Sequence, residues 1–369
     1  MRYYLIAGEA SGDLHGANLM RALKAEDLNA EFRFLGGDLM TAQGGEIVKH
    51  YSDMSYMGFA EVVLNLRTIL RNMKQAKADL LQYNPDALIL IDFPGFNLKI
   101  AEFAKQHGIN VYYYISPKVW AWNQKRVLKI KKVVDKLFCI LPFEVDFYNG
   151  WGMKVDYVGN PLLDAIAAFT PDKQFRGRHN LTGKKIIALL PGSRKQEITK
   201  ILPEMLETAS RFPEYQFVIA GAPSFNVAFY DKFILGRNIP VVFNSTYDLL
   251  KNADAAIVTS GTATLETALF HVPEVVVYKT SAVSVAIARM VIKIRFISLV
   301  NLIMDRLIVK ELIQEDCNSE KIGEELELLL GGSYREEMLK NYQELSDRMG
   351  DPGASEKTAR LIVKSLGET

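Results

Sequence analysis

Short apolar runs, each followed by a segment long enough for a helix, dictate what this chain can fold into. The first series is Tyr3–Ala7, Glu31–Leu35, Ala87–Asp92, Asn110–Ile115, Lys136–Leu141 and Asp156–Val158. The second is Lys185–Leu190, Gln216–Ala220, Val241–Phe243, Ala255–Thr259 and Glu274–Tyr278. Such alternation implies parallel β-α-β units with right-handed crossovers. Between the series lies FTPDKQFRGRHNLTGKK (169–185), polar and broken by Pro and Gly, which reads as a linker. A length of 369 residues suits two domains. The expected fold is α/β: two Rossmann-like, doubly wound domains facing each other across a cleft, 1–168 and 169–345. A helical tail, 346–369, follows; it ends a helical stretch, Tyr334–Leu366, interrupted at Gly350-Asp351-Pro352-Gly353.

The chain opens as nucleotide-binding proteins do, with an apolar strand running into AGEASGDLHGA (7–17). Its glycines, Gly8, Gly12 and Gly16, match neither G-x-G-x-x-G nor the P-loop. The junction is still where open α/β sheets place ligands. A net charge of +1 argues against a general nucleic-acid binder. Apolar and charged contents of 49% and 24% are those of an ordinary folded, soluble protein. Cys139 and Cys317 read as reduced core thiols. The sequence shows no secretory signal and no uncharged apolar run of about 18 residues, so a cytoplasmic location is expected. The histidines form no zinc pattern and there is no D-x-D, so neither a metal nor a cofactor is expected.

Chemistry-bearing residues gather where strands end. LLPGSRKQEI (189–198) presents Arg194 after Pro191-Gly192-Ser193, and AAIVTSGTATLETALF (255–270) passes through Ser260-Gly261-Thr262 into a helix. The free N–H groups and positive end of that helix suit an anion, and two such loops suit a diphosphate. Glu266, a turn into the helix, is placed to accept the hydroxyls of a ribose. Alternatively Ser260 or Thr262 only caps the helix, with Glu266 completing a capping-box-like pattern. In the first half, Asp92 ends a strand before the Phe93-Pro94-Gly95 turn, a position for a general base or for a cap of the helix Asn97–His107. In YYYISPKVWAWNQKRV (112–127), Trp120 and Trp122 beside Lys125 and Arg126 suit a sugar face or a phosphate; a packed Trp pair with a solvated basic face is the alternative.

AGEASGDLHGA, IDFPGFN, YYISPKVWAW, LPFE, VGNPLLDA, LPGSRKQEI, SGTATLE and SLVNLI…VKELIQE occur in this order. As a set they closely resemble the lipid-A-disaccharide synthases, the family-19 glycosyltransferases of Gram-negative outer-membrane biogenesis. The resemblance implies a GT-B fold with the nucleotide in the carboxyl-terminal domain. It implies joining UDP-2,3-diacylglucosamine to 2,3-diacylglucosamine 1-phosphate, with inversion, to give a β-1,6-linked disaccharide 1-phosphate and UDP. By the same resemblance Asp92 is the base, and Arg194 with the helix beginning at Ser260 stabilises departing UDP. Ser260, Gly261, Thr262, Glu266 and Asn301 fall on the UDP or donor side, and Glu9, Ser11, Asp13 and Trp120 on the acceptor or donor-sugar side. The chain departs from the family at Gly95, where Pro-Asp-Phe-Asn is common, and at Val300, where Leu-Pro-Asn is. Rival readings are a UDP-N-acetylglucosamine 2-epimerase-like isomerase and a non-catalytic sugar-binding protein.

Both family substrates carry acyl chains, so the cytoplasmic face of the inner membrane is an expected partner. MGFAEVVLNLRTILRNMKQAKADLL (57–81) places Val62, Leu66, Ile69, Leu70, Met73 and Leu80 on one helical face, edged by Arg67, Arg71, Lys74 and Lys77. That pattern fits a helix lying in an anionic interface, and equally one covering a sheet. The apolar run Val283–Ile303 is a second, weaker candidate. The family also implies a homodimer that exchanges carboxyl-terminal segments.

Overall fold

The structure, a computed structural model, describes residues 1–54, 66–181, 183–281 and 295–368. The chain divides into two compact units, Met1–Ala167 with Asp351–Thr369, and Ala168–Gly350. In the first unit the strands are β1 (Arg2–Ala7), β2 (Glu31–Gly36), β3 (Glu46–His50), β4 (Ala87–Ile91), β5 (Asn110–Tyr114), β6 (Lys136–Cys139) and β7 (Asp156–Tyr157). They form a parallel sheet in the order β3-β2-β1-β4-β5-β6-β7. The central runs are apolar throughout because helices cover both faces. One face buries Tyr4, Leu88, Leu90 and Tyr113, the other Tyr3, Leu5, Ile89 and Tyr112.

The second unit repeats the plan with β8 (Ile186–Leu190), β9 (Gln216–Gly221), β10 (Val241–Phe243), β11 (Ala253–Thr259), β12 (Glu274–Tyr278) and β13 (Glu311–Ile313). Its parallel order is β10-β9-β8-β11-β12-β13. In each sheet the winding direction reverses once, between β1 and β4 and between β8 and β11. Those reversals are the switch points at which open α/β sheets bind ligands.

Two features depart from the sequence reading. β3 and β13 are edge strands that carried no apolar run: no residue of Glu46–His50 is fully buried, and Glu311–Ile313 is three residues long. The stretch 169–185 is no free linker, since it packs on the second unit: Phe175 is fully buried and Phe169 lies edge-on to Tyr247 and Phe270. The terminal helix Ala354–Gly367 packs on the helix Ala10–Glu26 of the same chain, burying Ala359 and Ile362. Its start is held by Asp164, whose Oδ1 accepts the Gly353 and Ala354 N–H groups.

Candidate active site at two switch points

At the first switch point the chain leaves β4 through two successive left-handed residues, Asp92 (φ 43°) and Phe93 (φ 48°). Neither is glycine, so the turn is strained and persists only because its surroundings over-determine it. The Asp92 N–H donates to the Tyr114 carbonyl (3.3 Å). The Asp92 carbonyl accepts from the Tyr113 hydroxyl (2.5 Å) and from Asn97 Nδ2 (2.8 Å), and that amide also reaches the Ile91 and Ile6 carbonyls. Gly8 follows β1 beside this turn, where a Cβ would stand 2.4 Å from the Phe93 ring. That contact explains a glycine in a loop without a dinucleotide fingerprint. The helix that follows, Pro94–Gln106, is capped by Phe93 without a side-chain bond, so Asp92 is not its N-cap. Burial raises the Asp92 carboxyl above the ordinary range; the Lys118 cation and the Phe93 N–H act in the opposite direction.

Around that carboxylate the expected residues separate. Glu9 is the N-cap position of the helix Ala10–Glu26, and Ser11 is exposed in its first turn at the end of β1. Asp13 is buried and accepts the N–H groups of Gly37 (2.7 Å), Leu39 (3.0 Å) and Met40 (3.1 Å). It anchors the loop after β2. Trp120 is likewise buried, its Nε1 donating to Glu144 Oε1 (3.1 Å) and its ring edge-on to Phe143. Glu144 also accepts from Ser116 Oγ (2.7 Å) and from the Ile140 and Leu141 N–H groups (3.2 and 3.0 Å). The SPKVWAW and LPFE motifs are thus one buried hydrogen-bonded network. Within Val111–Trp120, Lys118 alone is exposed.

At the second switch point the loops after β8 and β11 run side by side, where a Cβ on Gly192 would meet Thr259 Cγ2 at 3.4 Å. Arg194 is exposed and pairs with Glu197 (3.0 Å). The helix Thr262–Leu269 has Gly261 as its N-cap, with no side-chain cap. Ser260 is not the cap, because its hydroxyl donates to the Ile297 carbonyl (2.8 Å). Gly261 and Thr262 are exposed, and a Cβ on Gly261 would meet no atom of the described residues within 4 Å. The first turn of this helix is thus exposed and has no side-chain cap, the setting in which helix N-termini take an anion. Glu266 completes no capping box. It accepts from the Tyr247 hydroxyl (3.1 Å), and burial raises its pKa. It lines a cavity of about 350 Å³ with Phe169, Asn244, Ser245, Thr246, Tyr247 and Asp248. Tyr247 and Phe169 escaped the sequence reading, having neither charge nor motif.

Asn301 does not face that cavity. It is fully buried, and both ends of its amide are bonded inside the protein: Nδ2 to the Val309 carbonyl and Glu311, Oδ1 from the Ile308 and Val309 N–H groups. The expected lipid-facing helix divides similarly. Val62 lies outside the described residues. In Leu66–Tyr83 the residues Met73, Ala76 and Leu80 face the core with half-buried Ile69 beside them, while Leu66 and Leu70 are each 52% exposed. Arg67, Arg71 and Lys74 are exposed next to that pair. Of Val283–Ile303, the described part buries Phe296, Val300 and Ile303 in the protein.

Two parallel Rossmann-like units with their polar residues at the switch points define the GT-B class. Solved structures agree. A putative UDP-N-acetylglucosamine 2-epimerase from Listeria monocytogenes superposes with a TM-score of 0.70 at 14% identity, covering 100% of this chain and 97% of that one. The glycotransferase of kitacinnamycin gives 0.69 at 14% identity, with 99% of each chain covered. Likeness at that identity speaks for the fold alone. The sequence is more specific: residues 3–364 match the lipid-A-disaccharide synthetase model, and the chain belongs to that family. The lipid-A-disaccharide synthase of Syntrophus aciditrophicus (strain SB) is 40% identical over 371 residues, 97% of this chain and 96% of that protein. That of Myxococcus xanthus (strain DK1622) is 38% identical over 373 residues, 99% and 97% of the two.

Proposed function

We propose that the protein is an inverting glycosyltransferase that joins UDP-2,3-diacylglucosamine to 2,3-diacylglucosamine 1-phosphate. In this reading Asp92 takes the proton of the acceptor 6-hydroxyl as that oxygen attacks the anomeric carbon. The bond from that carbon to the diphosphate breaks, and UDP leaves with the electron pair. Arg194 and the N–H groups around Gly261 receive the charge developing on the diphosphate, and Glu266 takes the ribose hydroxyls. The observation that carries the assignment is the strained Asp92 turn, which holds a carboxylate with a raised pKa at a switch point in a chain of this family. With the leaving group stabilised by protein donors, turnover is metal-independent and survives EDTA; inhibition by EDTA that Mg²⁺ reverses contradicts this.

The substrates are met at the cytoplasmic face of the inner membrane, with exposed Leu66 and Leu70 and their basic neighbours as the contact. Among the described residues no helix is long and apolar enough to cross a membrane. The protein further assembles as a homodimer in which the helix Ala354–Gly367 packs on a second copy in the manner seen here within one chain. A monomer mass by light scattering in mild detergent refutes that assembly. The activity itself is tested by mixing protein, UDP-diacylglucosamine and acceptor and following UDP. Release that requires the acceptor supports the reading; interconversion of UDP-sugars without acceptor, or binding without turnover, defeats it.

A further inference from the structure

We infer that Glu311 is a positioning residue for the anion loop Ser260–Thr262, acting through the segment Phe296–Asn301. The inference rests on the reading of that loop as the diphosphate site. Glu311 begins the edge strand β13, opposite Val276 of β12. Its carboxylate gathers three donors from one short segment: the Ile297 N–H at Oε2 (3.0 Å), the Ser298 N–H at Oε1 (2.9 Å) and Asn301 Nδ2 at Oε1 (2.8 Å). Asn301 locks the far end of that segment. Its Nδ2 also donates to the Val309 carbonyl (2.8 Å), and its Oδ1 accepts the Ile308 and Val309 N–H groups (2.7 and 3.0 Å). Ser298 Oγ closes the turn by accepting the Asn301 N–H (3.2 Å). The segment so fixed returns one acceptor to the site, the Ile297 carbonyl, which takes the Ser260 hydroxyl (2.8 Å). On its other side Ser260 is tied to the sheet by its N–H donating to the Val277 carbonyl (3.0 Å).

Ser260 is therefore held from both sides immediately before Gly261, whose carbonyl accepts the Thr264 N–H (3.3 Å) and hydroxyl (2.9 Å). N–H groups stabilise a leaving diphosphate only if their aim is set beforehand, because donors that must reorganise lose the advantage. Glu311 and Asn301 set that aim without touching the ligand. This gives Asn301, whose amide is consumed internally, a role compatible with its burial.

The test compares Glu311→Gln, Glu311→Ala and Ser260→Ala by UDP calorimetry, steady-state kinetics and melting temperature. Glu311→Gln keeps one acceptor oxygen for the three donors, so UDP affinity is expected to fall roughly three- to tenfold, the scale of one displaced hydrogen bond. KM for the acceptor stays unchanged. Glu311→Ala falls further, and Glu311→Gln combined with Ser260→Ala is less than additive because both changes free the same loop. Wild-type UDP affinity in Glu311→Gln, or strict additivity, overturns the inference. Should Glu311→Ala fail to fold, Glu311→Gln and Ser260→Ala still decide. Arg194→Ala serves as the control. If it too binds UDP normally, the diphosphate reading itself is wrong; if it weakens UDP while Glu311→Gln does not, only the role of Glu311 falls.

Discussion

Asp92 illustrates how one side chain can be held against its own preferences. Its left-handed backbone costs on the order of 1–3 kcal/mol, and Tyr113, Asn97 and Tyr114 offset that cost through hydrogen bonds to its main chain. Asp92→Asn should therefore keep the fold and UDP binding while turnover drops by roughly 10²–10⁴, the usual scale for a general base; near-normal turnover removes it from the role. The pH dependence follows from the direction of its shift. Burial raises its pKa in the folded state, so the ionised form is disfavoured there, and this contribution to stability is greatest below the ordinary carboxylate pKa and declines as pH rises. At neutral pH Asp92→Asn is thus expected to melt no lower than wild type. Catalysis has the opposite sign, since the base must be ionised: kcat/KM should fall with decreasing pH at a value above the ordinary carboxylate range. Lys118→Met removes the cation that opposes burial and should move that limb to higher pH. An unmoved limb means the limb does not belong to Asp92.

Gly95 and the helix Leu66–Tyr83 show what a single element can carry. Gly95 lies in the first turn of the helix Pro94–Gln106, exposed, and no atom of the described residues stands within 4 Å of where its Cβ would be. A carboxylate there would face a helix N-terminus without clash, so Gly95→Asp should stabilise the protein by about 0.5–1.5 kcal/mol, from helix propensity and the dipole together. A lower melting temperature contradicts that account. For Leu66–Tyr83, Leu66→Ser with Leu70→Ser is expected to shift the protein from the membrane to the soluble fraction, with activity on detergent-dispersed substrate retained. Unfolding would instead mark both as core. The period of 3.6 legibly predicted an apolar face here, but periodicity cannot say which leucines a sheet covers, and the structure assigns Met73 and Leu80 to the core and leaves Leu66 outside. The same limit applies elsewhere. The buried central strands were legible because runs of apolar residues fill them, whereas β3 and β13 depend on pairing with a neighbour. Arg194 and the Ser260-Gly261-Thr262 turn were legible as residues that follow strand ends. Asp13, Trp120 and Asn301 were legible as positions, and only the folded chain shows that their polar atoms are bonded within the protein.

Across the whole molecule, the first unit is assembled from two separate pieces of chain, and the second from one. The last piece, Asp351–Thr369, contributes a helix whose Ala359 and Ile362 are fully buried in the same cluster as Tyr3, Leu19 and Leu23, with Leu361, Val363 and Leu366 partly so. Deleting it would expose that cluster on the helix Ala10–Glu26. Burying one large aliphatic side chain is worth about 1.5–3 kcal/mol, and a marginally stable domain has roughly 5–15 kcal/mol in all. Loss of the whole helix should therefore bring the first unit close to unfolding. The Asp164 carboxylate would at the same time lose the Gly353 and Ala354 N–H groups it accepts. The second unit has no part in this helix, and its anion loop and Glu266 cavity lie entirely within Ala168–Gly350. A chain ending at Gly350 is thus expected to show two separated melting transitions, the lower from the first unit. Calorimetry should still find UDP bound with an affinity near that of the full chain, while transferase activity is lost with Asp92's unit. One cooperative transition at the wild-type temperature would mean that the terminal helix contributes little to the first unit. Loss of UDP binding in that truncated chain would mean that the nucleotide needs more than the second unit provides.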